Sequence, residues 1–173
     1  RVMERCRLHH GKQSIDSVKG ESSHQNNPFA ALVSHNADED MGEAYGFNLV
    51  YSGNFFAQAE VTQHKKTRFV MGINHFDFSW KLEPAQEFTA PEVVMVYSDK
   101  GIGEMSRTFH DLYRQHIIRG EYKDKRRPIL INNWEATYFN FNTEKLIDIA
   151  KQASQLGIEM LVMDDGWFGH RDR

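Results

Sequence analysis

The hydrophobic pattern of this chain changes its period at about residue 100. Between about residues 27 and 98, apolar and polar residues alternate in short runs separated by polar turns, which is typical of antiparallel strands. Beyond that point apolar residues recur every three or four positions, which indicates helices, and short apolar runs alternate with these helices. The sequence therefore predicts a β-rich region, a connecting helix and an α/β region, in that order.

The β-rich region predicts an antiparallel sandwich. Tight turns at residues 52–53 and 64–65 are expected to join the first three strands into consecutive hairpins. The stretch before residue 27 predicts an irregular loop, and its His9, His10 and His24 lack the spacing of metal ligands. Five runs have the length and residue types of strands: 44–51, 54–63, 66–73, 76–82 and 88–97.

The second half predicts one β-α-β unit. An amphipathic helix is expected between residues 103 and 120, followed by a charged connector at 123–128 that ends at Pro128. A short buried strand at 129–131 comes next. A helix that Asn142 caps and Gly157 ends then leads directly into a buried strand at 158–163. The two strands of such a unit lie parallel, with a right-handed crossover.

Polar and aromatic residues follow both strands of this unit, and they form the candidate site. Trp134 and Glu135 follow the first strand, and Asp164, Asp165 and Trp167 follow the second. Carboxylates accept hydrogen bonds from sugar hydroxyls, and an indole packs against the C–H face of a sugar ring. Because consecutive strand residues point to opposite faces, the two aspartates are poorly placed to flank one glycosidic bond at the ~5–5.5 Å that retaining catalysis needs. The pattern favours binding over catalysis for them.

Structural interpretations of the same residues stay open. The acidic pair also fits a solvated turn or a helix cap, Trp134 also fits core packing, and Glu135 fits an ordinary loop carboxylate. A divalent metal site is not expected, because no further ligand follows Asp164 and Asp165 at loop spacing. Residues 101–103 predict a turn and residues 38–40 a loop. Cys6 has no neighbour that would activate it as a nucleophile.

Composition narrows the class of protein. A net charge of -3 gives no reason to expect nucleic acid or an anionic membrane as a partner. The one cysteine, Cys6, excludes an internal disulfide and fits a reducing compartment. No apolar run approaches the ~20 residues of a membrane-spanning helix. The start at Arg1 and the end shortly after the second strand are expected of a fragment with both flanks missing.

Eight short motifs occur in order along almost the whole chain: GKQSIDS at 11–17, GESSHQ at 20–25, NPF at 27–29, YGF at 45–47, YSGNF at 51–55, PEV at 91–93, NNWEA at 132–136 and DDGWFG at 164–169. Together they closely resemble the bacterial α-galactosidases of glycoside hydrolase family 36. The first ten residues follow the family pattern poorly.

The resemblance implies a multidomain fold of α and β elements. It consists of an antiparallel N-terminal β-supersandwich, a linking helix, a (β/α)8 TIM barrel and a small C-terminal β domain. Residues 1–98 would be the last part of the supersandwich and residues 99–127 the linking helix and connector. Residues 128–173 would be a truncated barrel, holding its first strand, first helix and second strand. The implied activity is removal of terminal α-1,6-linked galactose from oligosaccharides such as melibiose and raffinose, with retention.

The resemblance also assigns roles to individual residues. Asp164 and Asp165 would bind the 4- and 6-hydroxyls of galactose, and Trp134 would line the same subsite. The family's nucleophile and acid/base aspartates lie on later barrel strands that nothing here matches, so no catalytic residue, metal or cofactor is assigned. The resemblance implies a cytoplasmic homotetramer. The alternatives are a related α-N-acetylgalactosaminidase or galactosyltransferase, and a non-catalytic carbohydrate-binding sandwich.

Overall fold

The computed structural model describes residues 5–169 and divides the chain into two compact units, with the boundary between Gln115 and His116. The first unit contains β1 (Gly11–Asp16), β2 (Phe29–Val33), β3 (Ala44–Leu49), β4 (Phe55–Val61), β5 (Thr67–Ile73), β6 (Val93–Ser98) and helix α1 (Gly101–Leu112). The second contains β7 (Leu130–Asn132), the single turn α2 (Trp134–Thr137), α3 (Thr143–Gln155) and β8 (Met160–Val162). A π-helical turn (Tyr113–Ile117) and a 3-10 turn (Glu121–Lys123) lie between α1 and β7.

The six strands of the first unit form two antiparallel sheets of three strands each. Their orders are β1-β4-β5 and β2-β3-β6. The ring of Phe47 on β3 stacks on the ring of Phe69 on β5, with centroids 4.0 Å apart, so the two sheets pack face to face at this point. The predicted antiparallel sandwich is confirmed.

The sequence patterns missed two strands, β1 and β2, and predicted one strand that does not form. The polar strand β1 lies in the stretch predicted to be irregular, because GKQSID carries almost no apolar alternation. Residues 76–82 alternate as a strand should, but no strand of the described part of the chain pairs with them, and Phe76 and Trp80 are 66% and 60% exposed. Strand β6 begins at Val93 instead of residue 88. Alternation identifies side chains that share a face, whereas a strand also needs a hydrogen-bonded neighbour.

Helix α1 packs on the sheet formed by β2, β3 and β6. Met105 and Phe109 are buried against Ala44 of β3. The helix begins at Gly101, so the prediction of a simple turn at residues 101–103 was wrong. The amides of Ile102 and Gly103 donate 2.9 Å hydrogen bonds to carbonyls of the 38–40 loop, which satisfies amides that a helix start leaves unpaired. Gly101 has a φ of 81°, and a Cβ there would lie 2.6 Å from the loop backbone.

The second unit has the predicted β-α-β order. Strands β7 and β8 pair in parallel, with Leu130 opposite Met160. Asn142 caps α3 by accepting a 3.0 Å hydrogen bond from the Lys145 amide, and Gly157 follows the helix with a φ of 81°, as predicted. The expectation that both strands are buried was wrong: Leu130 is 50% exposed and Met160 36%. Two strands and their connecting helix do not cover both faces of a sheet.

The charged connector is attached to the start of β8. Arg126 donates a 2.8 Å hydrogen bond to one carboxylate oxygen of Glu159, and the Ile129 amide donates a 2.7 Å bond to the other. Both bonds hold the pKa of Glu159 below its ordinary value, and the bond from the Ile129 amide has the larger effect. The connector thus enters β7 at a defined point. Within residues 5–169, none of the helices has the length and apolar character needed to cross a bilayer.

Candidate functional site

The carboxyl ends of β7 and β8 bring five polar and aromatic residues together: Asn132, Asn133, Trp134, Asp164 and Asp165, here called the strand-end cluster. The last residue pair of the parallel ladder is Asn132 opposite Val162, so the residues that follow both strands emerge at the same edge. This edge is where α/β folds place ligands. The expectation that the two strands deliver their polar residues to one edge is confirmed.

Asn133 joins the two strand ends. It is fully buried, and its amide N–H donates to the Val162 carbonyl at 3.3 Å. Its side-chain oxygen accepts a 2.8 Å bond from the Asp164 amide, and its side-chain nitrogen donates a 2.8 Å bond to the Thr137 hydroxyl. Because the polar groups of this buried side chain are hydrogen-bonded, any displacement would leave one of them unpaired, and the side chain therefore has one favourable position. Asn133 therefore determines where the Asp164 backbone begins its turn.

The Asp164 carboxylate is held on both of its oxygens. Asn132 donates its side-chain N–H to Oδ2 at 2.5 Å, and the Asp165 amide donates to Oδ1 at 2.7 Å. These two hydrogen bonds, the one from Asn132 first, lower the pKa of Asp164. The half-buried carboxylate is therefore ionised at neutral pH, and each oxygen keeps a lone pair for a ligand hydroxyl.

Asp165 is exposed and begins a tight turn. Its Oδ1 accepts a 2.9 Å bond from the Gly166 amide, so the solvated-turn interpretation describes part of its role. Among the described residues, nothing donates to its second oxygen. Gly166 has a φ of 95°, and a Cβ there would lie 3.0 Å from the ring of Phe139. The turn thus needs glycine both for its backbone angle and for the space beside that ring.

Trp134 begins α2 and is half-buried. Its indole meets the rings of Tyr138 and Phe139 edge to face, with centroids 5.3 and 5.0 Å apart and interplanar angles of 81° and 89°. The core-packing interpretation therefore describes part of the role of this ring. Trp167, the other indole of the region, is 68% exposed. The two ring contacts orient the indole where it follows β7.

Sequence reasoning found the two aspartates and Trp134 but gave no role to Asn132 and Asn133. The available signal was a pair of amides directly after an apolar strand, a place where a side chain can bond the neighbouring strand end. Glu135 lies on α2 and its carboxylate is 3.5 Å from the Tyr138 hydroxyl. Residues 5–169 contain no group of three or more His, Cys, Asp or Glu side chains placed to hold a metal, and Cys6 is exposed.

Family models place this arrangement, an antiparallel sandwich followed by a β-α-β unit, among the glycosyl hydrolases. The family model described as melibiase matches residues 87–173, and the model of the glycosyl hydrolase family 36 N-terminal domain matches residues 1–83. The chain belongs to glycosyl hydrolase family 36.

Several relatives are similar along almost the whole chain. It is 60% identical to the α-galactosidase AgaA of Geobacillus stearothermophilus and 52% identical to the α-galactosidase Mel36A of Lactobacillus acidophilus, covering 99% of this chain in each case. It covers 24% of each of those proteins. The crystal structure of AgaA superposes with a TM-score of 0.89 over 96% of this chain and 23% of AgaA. An AgaA variant in complex with raffinose superposes with a TM-score of 0.91, at 59% identity, over 98% and 24%.

Proposed function

We propose that the complete protein containing this chain is a retaining α-galactosidase that removes terminal α-1,6-linked galactose from oligosaccharides such as melibiose and raffinose. The support is its family, its 60% identity to AgaA, and the raffinose complex of an AgaA variant. The chain spans about a quarter of those relatives, so the activity belongs to the complete protein.

The strand-end cluster is the observation that carries this proposal. In the proposed site, Asp164 and Asp165 accept hydrogen bonds from the 4- and 6-hydroxyls of galactose, and Trp134 lines the same subsite. Asp164 suits this role because its carboxylate is ionised and fixed in position. Asp165 suits it because, within residues 5–169, no hydrogen bond reaches its second oxygen. The Trp134 face adds apolar contact with the sugar ring.

This chain would bind and orient the sugar, while later barrel strands supply the nucleophile and the acid/base. A retaining mechanism needs two carboxyl groups on opposite sides of the scissile bond. Asp164 and Asp165 are consecutive, and each accepts a hydrogen bond from the following backbone amide, which suits a role at one end of the sugar. Homotetramer assembly and a cytoplasmic location are the corresponding proposals for the complete protein.

The test is hydrolysis by the purified complete protein. It is expected to release p-nitrophenol from its α-galactoside and galactose from raffinose, with the α-anomer as the first product. Asp165→Ala is expected to lower kcat/KM for the aryl α-galactoside more than about tenfold, a loss of about 1.4 kcal/mol. Asp148→Ala, which removes an exposed carboxylate that bonds Gln152 on α3, is the matched control and should leave kcat/KM unchanged. Absence of galactose release, or an equal small effect of both variants, would overturn the proposal.

A further inference from the structure

Asn132 is the only described residue whose side chain bonds both halves of the strand-end cluster at once. Its nitrogen donates to Oδ2 of Asp164, and its oxygen accepts a 2.7 Å hydrogen bond from the Trp134 amide. One planar amide therefore connects the residue that begins α2 with the carboxylate that follows β8. The distance between the two proposed sugar contacts depends on this side chain.

The contact with Asp164 is not a general requirement of the fold. Asn133 already ties the two strands together through the Val162 carbonyl and the Asp164 amide, and that bonding involves backbone positions. Asn132 is exposed, and its contact with Asp164 is to the carboxylate itself. A half-buried carboxylate that water still reaches does not need a side-chain donor to stay charged, because water can solvate it. The bond changes where the carboxylate lies more than whether the unit folds.

We infer that Asn132 is a positioning residue that holds the Asp164 carboxylate at a set distance from Trp134 for sugar binding, an inference that rests on the proposed function. With Asn132 in place, Asp164 keeps one orientation, in which Oδ1 also receives the Asp165 amide. Without it, the Asp165 amide still bonds Oδ1 but nothing in the described residues fixes Oδ2, which has to be ordered each time a sugar binds. Because the sugar then has to order an acceptor that wild type holds in place, a loss of sugar affinity of about tenfold or more is expected.

The competing explanation is that Asn132 merely shapes the turn into α2 by accepting from the Trp134 amide. Two substitutions separate the possibilities. Asn132→Ala removes both contacts. Asn132→Asp keeps an oxygen for the Trp134 amide but removes the donor to Asp164 and places a second carboxylate beside it. A positioning role predicts that both variants bind free galactose about tenfold or more weakly than wild type, with Asn132→Asp at least as weak as Asn132→Ala. A turn-shaping role predicts instead that Asn132→Asp, which keeps the acceptor for the Trp134 amide, binds more tightly than Asn132→Ala.

Asn74→Ala is the control for general destabilisation. Asn74 is a buried amide of the first unit whose side chain makes four hydrogen bonds, including those to the Ser17 and Phe55 carbonyls and from the Phe76 amide. Its loss should lower the unfolding midpoint of the complete protein while galactose affinity stays at the wild-type value. A fall in affinity that simply tracks the midpoint across all three variants would overturn the inference.

The decisive experiment combines galactose titration with hydrogen exchange resolved to single amides in the complete protein. In Asn132→Asp, the Asp165 amide is expected to exchange about fivefold or more faster, because its acceptor is no longer fixed, while the Asp164 amide, held by Asn133, is unchanged. Faster exchange of the Asp165 amide in Asn132→Asp, together with a wild-type protein that binds no galactose, would support the positioning of Asp164 and refute the proposed function. Galactose binding that is unchanged in Asn132→Asp would refute the positioning role and leave the proposed function standing.

Discussion

Removing the side-chain amide of Asn133 is expected to separate the two strand ends locally. Asn133→Ala leaves the Asp164 amide without its acceptor and the Thr137 hydroxyl without its donor, and it opens a small cavity, since Asn133 is fully buried. Two partly buried hydrogen bonds of about 0.5–1.5 kcal/mol each, together with the cavity, give a local cost of about 2–3 kcal/mol. Because each 1.4 kcal/mol corresponds to a factor of ten, the Asp164 amide should exchange about 30- to 150-fold faster.

The assay is hydrogen exchange at the Asp164 amide in the complete protein. Asn133→Asp provides a second test, because its carboxyl keeps an acceptor for that amide and can also accept from the Thr137 hydroxyl. Its cost is the burial of a charge, and burial raises the pKa of a carboxyl group. Protection in this variant should therefore return toward the wild-type level as the pH falls toward about 5, after correction for the intrinsic exchange rate.

Asn140→Ala is the matched control. The Asn140 side chain lies on the exposed surface and accepts a 2.9 Å bond from the Lys145 ammonium, so deleting it should leave exchange at Asp164 unchanged. If the Asp164 amide in Asn133→Ala exchanged within about threefold of wild type, Asn133 would not be the residue that holds the two strand ends together.

Two further substitutions test the turn after β8 and the connector. Gly166→Ala forces a side chain into a left-handed backbone, at a cost of about 1–2 kcal/mol, and its Cβ displaces the Phe139 ring from Trp134. The KM of this variant for the aryl α-galactoside should therefore rise, whereas the KM of the control Asp148→Ala should stay at the wild-type value. Glu159→Gln should lower the thermal midpoint near neutral pH, because the charge that Ile129 and Arg126 stabilise is lost. Since the pKa of Glu159 is lowered in the folded state, its contribution to stability is present above the unfolded value of 4.5 and disappears as the pH falls through the folded pKa. A difference in thermal midpoint between wild type and Glu159→Gln that persists below that pKa would contradict this.

The order of elements was readable from the sequence because hydrophobic period is a local property. The capping of α3 by Asn142 and its end at Gly157 follow from residue types that satisfy or terminate a helix whatever surrounds it. The parallel pairing of β7 and β8 follows from their order around that helix, since a single crossover leaves little choice. The same order predicts that Trp134 and Asp164 lie at one edge of the sheet, as the parallel pairing shows.

The failures occurred where structure depends on a distant neighbour. Residues 76–82 have the alternation of a strand but no partner, whereas the polar β1 is a strand because β4 lies beside it, pairing Gln13 with Ala59. Gly101 begins a helix because the carbonyls of the 38–40 loop receive its first amides. A pairing partner that is distant along the chain leaves no mark in a local window.

The sequence by itself determined the family, the order of the elements and three proposed sugar-binding residues. Only the tertiary structure decided how those residues are held: Asn133 joins the strand ends, and Asn132 connects the Trp134 amide to the Asp164 carboxylate. The physical reason is that hydrogen bonds between residues about 30 positions apart form only when donor and acceptor are placed to within a few tenths of an ångström, and this placement arises only when both strands have paired. Residue types indicate what a strand end can bind, and the folded pair determines where each polar atom lies.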